Sequence, residues 1–161
     1  MPSKLSARIV PHLWYIKEAK EAARFYVKTF PKSRIVRMWK VAGTAVDGVE
    51  FQLFGQPFFA MSAGEHDSFN DAISFGVPCR TQAEIDRYWK VLLKNGGKEI
   101  ACGWIRDKFG VRWQIYPVAL MEMMSDRDRK KAARIAAEMQ RQVKFDIRKL
   151  KAAFEGRDVN G

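Results

Sequence analysis

The sequence predicts an α+β fold: duplicated βαβββ modules forming a cleft-bearing curved sheet, plus a helical C-terminal tail. Three observations predict it. A strand, a helix and further strands occur twice in the same order. The two helices carry aromatic pairs, Phe25-Tyr26 and Tyr88-Trp89, at matching places. After residue 124 the pattern turns alanine-rich and is bounded by capping residues. A length of 161 residues suits one domain. We divide it into 1–124, with halves at about 8–64 and 70–117, and a helical extension of the same domain at 125–161.

The run Arg8 to Ile16 is rich in branched and aromatic residues and reads as a strand. Glu18 to Phe30 follows as a helix, with Ala19, Ala22, Ala23, Tyr26 and Phe30 at three- and four-residue spacing and Pro31 as its stop. Ser33 to Val41 and Gly48 to Phe54 read as strands, and Gly55-Gln56-Pro57 turns the chain into a third, Phe58 to Ser62. The second half opens with a strand at Ala72 to Val77, in which Ile73, Phe75 and Val77 form the face under a helix. Thr81-Gln82-Ala83-Glu84 is a capping box. The helix it starts buries Ile85, Tyr88, Trp89, Leu92 and Leu93 and ends at Asn95-Gly96-Gly97. Strands around Glu99 to Ile105 and Val111 to Tyr116 flank an Asp107 to Gly110 turn. In the tail, Ser125 and Asp128 mark a helix running to about Arg141, and Asp146 caps a shorter one ended by Gly156. Two halves of this kind enclose a cleft between their helix-free faces, and function belongs there.

Composition closes several classes. No window approaches 18 consecutive apolar residues, and no secretory core follows Met1, so a soluble, cytoplasmic protein without membrane contact is expected. Cys79 and Cys102 have the spacing of neither a zinc framework nor a disulfide scaffold and read as reduced thiols. There is no G-x-G, no phosphate loop, no C-x-x-C and no G-x-S-x-G elbow. The outlier is a net charge of +11, which raises a nucleic-acid or anionic-partner module as the alternative function. Residues 125–161 hold 11 Lys and Arg but interleave 6 Asp and Glu, so the charge is a broad basic surface that favours solubility and an anionic small ligand, and nucleic acid is not the expected partner.

Certain motifs are more specific. Leu13-Trp14-Tyr15, Ala19 to Tyr26, Phe30-Pro31-Lys32-Ser33-Arg34-Ile35, Gly55-Gln56-Pro57-Phe58 and Ala72-Ile73-Ser74-Phe75 occur in that order. Cys102-Gly103-Trp104, Asp107 to Val111 and Trp113-Gln114-Ile115-Tyr116-Pro117 continue the series, and Lys144 to Gly156 follows as a terminal helix. Together they resemble the PhnB-like branch of the glyoxalase, bleomycin resistance and extradiol dioxygenase superfamily, the vicinal-oxygen-chelate fold. The resemblance implies the duplicated fold, a homodimer and a small-molecule ligand. Metal-dependent members of that superfamily place His or Glu ligands on four strands. Here the corresponding positions fall on Pro11, Ala72, Gln114 and a residue near Ala60 to Ser62, so no metal and no cofactor are expected. The branch is often labelled demethylubiquinone methyltransferase-like, and the missing G-x-G turn leaves that label without physical support.

Alternation then nominates the cleft residues. Ser74, Arg112, Gln114 and Tyr116 face it from the second half, Pro11, Leu13 and Tyr15 from the first strand, and Glu50, Gln52 and Ser62 from the middle strands. Of these, Tyr15, Glu50, Gln52, Ser62, Ser74, Arg112, Gln114 and Tyr116 are the candidate substrate-binding residues; no catalytic residue is assigned. Arg112 is either a clamp for a carboxylate or phosphate or a solvated strand charge. Glu50 is either a general base or an exposed sheet carboxylate. His12, one residue from the expected ligand position, reads as structural or solvent-facing, with a cleft role only through a local bulge. His66 reads as a loop residue, and Trp14, Trp104 and Trp113 as core or subunit-contact residues.

Overall fold

A computed structural model describes residues 9–158, so Arg8 of the first predicted strand and the last three residues lie outside the described residues. The chain divides after Ser68 into two compact units. The first contains β1 (His12–Tyr15), α1 (Ala19–Thr29), β2 (Arg34–Lys40), β3 (Asp47–Leu53) and β4 (Gln56–Ser62). They form a four-stranded sheet of order β1-β4-β3-β2, with β1 parallel to β4 and the other neighbours antiparallel.

Helix α1 buries Ala19, Ala22, Ala23 and Tyr26, its predicted stripe, against Leu13, Tyr15, Val49, Phe51 and Ala60. The small alanines let the helix approach the sheet closely, and the aromatics fill what remains. No side chain of α1 caps its own start. Ser62 Oγ of β4 accepts a hydrogen bond from Ala19 N at 3.0 Å, satisfying one of the helix's orphan amides.

The second unit repeats the programme with β5 (Phe75–Cys79), α2 (Gln82–Leu92), β6 (Lys98–Glu99), β7 (Trp104–Arg106) and β8 (Arg112–Pro117). Its sheet order, β5-β8-β7-β6 with β5 parallel to β8, matches the first, as duplication requires. The Thr81 hydroxyl accepts from Glu84 N, as the capping box predicts.

Several boundaries differ from expectation: β1 starts at His12, with residues 9–11 outside the strand, and β4 starts at Gln56, inside the expected turn. The first strand of the second half is Phe75–Cys79, not Ala72–Val77: residues 71–72 turn, and Ile73 is exposed instead of lying under the helix. The strand runs on through Pro78, which is tolerated because β5 is an edge strand. The expected strand Glu99–Ile105 breaks in two, because Cys102 and Gly103 take positive φ of 51° and 77° and turn outward.

The tail forms α3 (Leu120–Met124), α4 (Arg129–Arg141) and α5 (Ile147–Glu155). Helix α3 is an addition to the predicted elements. It takes Ser125 as its C-cap, the hydroxyl donating to Met121 O, so Asp128 alone caps α4, accepting from Lys130 N and Lys131 N. Asp146 and Gly156 bound α5 as expected. The tail is docked on the second unit. Cys102 N and Gly103 N donate to Gln142 O and Val143 O at 2.8 Å, and the buried Phe145 ring fills the space over Gly103. Gln82 of α2 completes the seam, its amide donating to Phe145 O and accepting from Ile147 N.

Candidate functional site

Register sorts the first sheet's helix-free face into three rows. Across β1, β4, β3 and β2, the middle row is His12, Phe59, Glu50 and Arg37. On one side lie Pro57, Gln52 and Arg34; on the other lie Trp14, Met61, Gly48 and Trp39. Arg34 and Trp39 reach the same face only because β2 carries a bulge between Ile35 and Arg37, where Val36 is the surplus residue. Counted straight through Val36, strict alternation along β2 runs out of phase after Ile35.

The rows converge on Phe59. The His12 ring lies 4.6 Å from it, tilted 41°, and the Trp39 indole 5.5 Å away, tilted 39°. Trp39 leans across Gly48, where a Cβ would stand 2.5 Å from the indole. Arg37 lies over that indole at 4.8 Å and donates to Glu50 Oε1 at 2.8 Å, while Arg34 Nε donates to Gln52 Oε1 at 3.1 Å. The result is a concavity of about 460 Å³ with an aromatic floor and a charged rim, lined by Val10, His12, Arg34, Val36, Trp39, Glu50 and Gln52 among others.

Glu50 and Gln52 therefore lie on the open face, each holding an arginine. Tyr15 and Ser62 do not. β1 is phased the other way: Leu13 and Tyr15 are buried under α1, the Tyr15 hydroxyl meets that of Tyr26 at 3.2 Å, and Ser62 is spent on the start of α1. Pro11 shares that parity, and its carbonyl accepts from Phe59 N. His12 takes the open face, with no bulge in β1, and lines the concavity. The sequence signal for this was the burial demand of Leu13 and Tyr15 beneath an alanine-faced helix. His66 is in a loop, as expected, its Nδ1 within 2.7 Å of Asp67 O.

On the second sheet, Arg112, Gln114 and Tyr116 alternate with the buried Trp113 and Ile115 and occupy the helix-free face. Gln114 donates to Ser74 Oγ at 2.6 Å, and the Tyr116 ring covers Gly76. The Arg112 side chain is largely buried and bound within the chain, so it is not the solvated strand charge that was one of its two readings. It donates to Asp71 Oδ1, Phe69 O and Gly110 O at 2.6–2.9 Å, tying the strand to the loop before it. Asp107 closes the turn before β8. Its buried carboxylate accepts from Phe109 N, Val111 N and the Trp113 indole.

The residues do not fit the metal that the fold's metal-dependent members hold. Pro11 and Ala72 offer no side-chain donor, Gln114 is hydrogen-bonded to Ser74, Ser62 accepts from Ala19 N, and among the described residues no three His, Cys, Asp or Glu cluster as ligands. No helix among the described residues is long and apolar enough to cross a membrane. The tail's basic residues are partly engaged internally: Arg134 caps the end of α5 through Ala153 O and Phe154 O, and Lys144 pairs with Asp86 at 2.6 Å. That pairing holds the Asp86 carboxyl below its ordinary range.

The two four-stranded sheets, each with a helix on one face, define a PhnB-like protein of the glyoxalase and dioxygenase fold. Residues 7–116 match the family described as 3-demethylubiquinone-9 3-methyltransferase, and the chain belongs to that family. A putative 3-demethylubiquinone-9 3-methyltransferase, PhnB protein, from Bacillus cereus is similar at 28% identity and TM-score 0.63, covering 68% of this chain and 98% of its own. The fosfomycin resistance protein FosX from Mesorhizobium loti shares the fold at 15% identity and TM-score 0.56, over 74% of this chain and 99% of that one. FosX from Listeria monocytogenes does so at 13% and 0.54, over 78% and 100%. No curated protein sequence matches the chain. The family match ends at Tyr116, so the tail, expected to share in the resemblance, lies outside it. None of these matches supports the nucleic-acid module.

Proposed function

We propose that the protein binds a small organic molecule on the helix-free face of its first sheet, without a resident metal. The supporting observation is the contiguous His12, Phe59 and Trp39 floor in a concavity of about 460 Å³, a volume and lining typical of small-molecule sites. Glu50 and Gln52 are the polar ligand-facing groups there, and Ser74, just before β5, with Gln114 and Tyr116 of β8, are the corresponding groups in the second unit. The methyl transfer named in the family's description is not extended to this chain, which has no Gly-x-Gly turn to bring backbone against a nucleotide cofactor.

Native mass spectrometry of the purified protein should reveal a co-purifying ligand. Titration of the unfolded-and-refolded, ligand-free protein with a fragment library should move amide resonances of residues 12, 50, 52 and 59 first. Perturbations confined to other surfaces would overturn the assignment. Elemental analysis should find far less than one equivalent of zinc, nickel, iron or manganese, and a full equivalent would overturn the metal-free reading. The working form in this proposal is a cytoplasmic homodimer. Sedimentation at micromolar concentration should give the dimer mass, and fractionation should leave the protein in the soluble cytoplasmic pool; a monomer or an exported protein would count against it.

A further inference from the structure

The concavity on the first sheet has a shape and a charge, and each narrows the ligand. Its floor is made of ring faces: His12 and Trp39 flank Phe59, both tilted by about 40°. Such a floor rewards a flat π-system by stacking, which a puckered ring of equal size does not receive. The charge is asymmetric. Glu50 is taken by Arg37, whose guanidinium also rests on Trp39. Arg34 gives only its Nε–H to Gln52, leaving the two terminal amino groups of its planar fork without a partner among the described residues. Two guanidiniums against one carboxylate leave the rim net positive. From Phe59 to Arg34 is two strands across and two residues along, about 12 Å between Cα atoms. A benzoate-sized molecule and an arginine side chain span that distance together.

We infer that the ligand is a planar aromatic anion, its ring lying on Phe59 and its acidic group held by Arg34. This rests on the binding face proposed above. The test compares three probes by NMR titration: benzoate, cyclohexanecarboxylate with the same charge and a puckered ring, and benzamide with the same ring and no charge. Benzoate should bind about tenfold more tightly than either control, and Arg34→Gln should weaken it about tenfold while leaving the circular dichroism spectrum unchanged. Phe59→Leu should weaken benzoate but not cyclohexanecarboxylate. Equal binding of cyclohexanecarboxylate overturns the planar requirement, and equal binding of benzamide, or indifference to Arg34→Gln, overturns the anionic one. If fragments of other chemistry shift residues 12, 50 and 59 and benzoate does not, this inference fails and the binding face stands. If no fragment shifts them, both fail.

Discussion

At Gly48 a missing methyl group shapes the site: only glycine lets the Trp39 indole fold across β3 and reach Phe59. Nothing in the sequence announces that contact, because it depends on a cross-strand register that a single surplus residue resets. Tyr15 and Ser62 were misplaced without any such bulge, because the phase of β1 follows the burial of Leu13 and Tyr15 under α1. Both residue types suit a ligand site, yet each is consumed by α1, one through Tyr26 and one through Ala19 N. Glu50 and Gln52 were legible because β3 alternates without interruption. Cys79 supplies a residue-scale prediction. Burial pushes its thiol up to about 12, from an ordinary value of 9.0. Below pH 9 folded and unfolded chains both keep the proton. Between pH 9 and about 12 only the unfolded chain gives it up, so this group's contribution to stability is lost as pH rises through that window. Urea denaturation should therefore show a larger loss of stability from about pH 8 to pH 10.5 in the wild type than in Cys79→Ala. A thiol reagent at pH 8 should modify Cys79 only after unfolding.

The elements were more legible than their side-chain roles, since helix stripes and caps are local. α1, α2 and α5 begin and end within a residue or two of expectation, because alanine spacing, Thr81 and Gly156 act within one turn. β5 was displaced because Ala72 to Val77 alternates convincingly, and only the sheet order reveals an edge strand that runs on through Pro78. The tail's attachment depends on Gly103, where a Cβ would stand 2.4 Å from the Phe145 ring and 2.7 Å from Ile115 O. Phe145→Ala empties a buried site, so it should cost about 3–5 kcal/mol in urea denaturation. The second unit's amides should lose exchange protection with it. An effect under about 1 kcal/mol would mean that the tail's backbone hydrogen bonds suffice without the ring.

At the scale of the whole molecule, +11 of net charge is repulsion that folding gathers onto a smaller surface. Raising sodium chloride from about 20 to about 200 mM shortens the screening length from roughly 20 to 7 Å, so the midpoint of thermal unfolding should rise by a few degrees. A fall would show that exposed pairs such as Lys144–Asp86 outweigh the repulsion. Fold class was readable at this scale because duplication leaves its mark in order and spacing, and the two sheets repeat one strand order. Val36 bears on how chains of this kind are compared. Because it is the residue without a cross-strand partner, the ladder on either side of it closes equally well in a chain one residue shorter. Deleting Val36 should therefore yield a folded protein with a straighter β2 and Arg37 and Trp39 still on their present face. A one-residue gap at this point in an alignment is thus a change in strand curvature, not a shift of every side chain that follows.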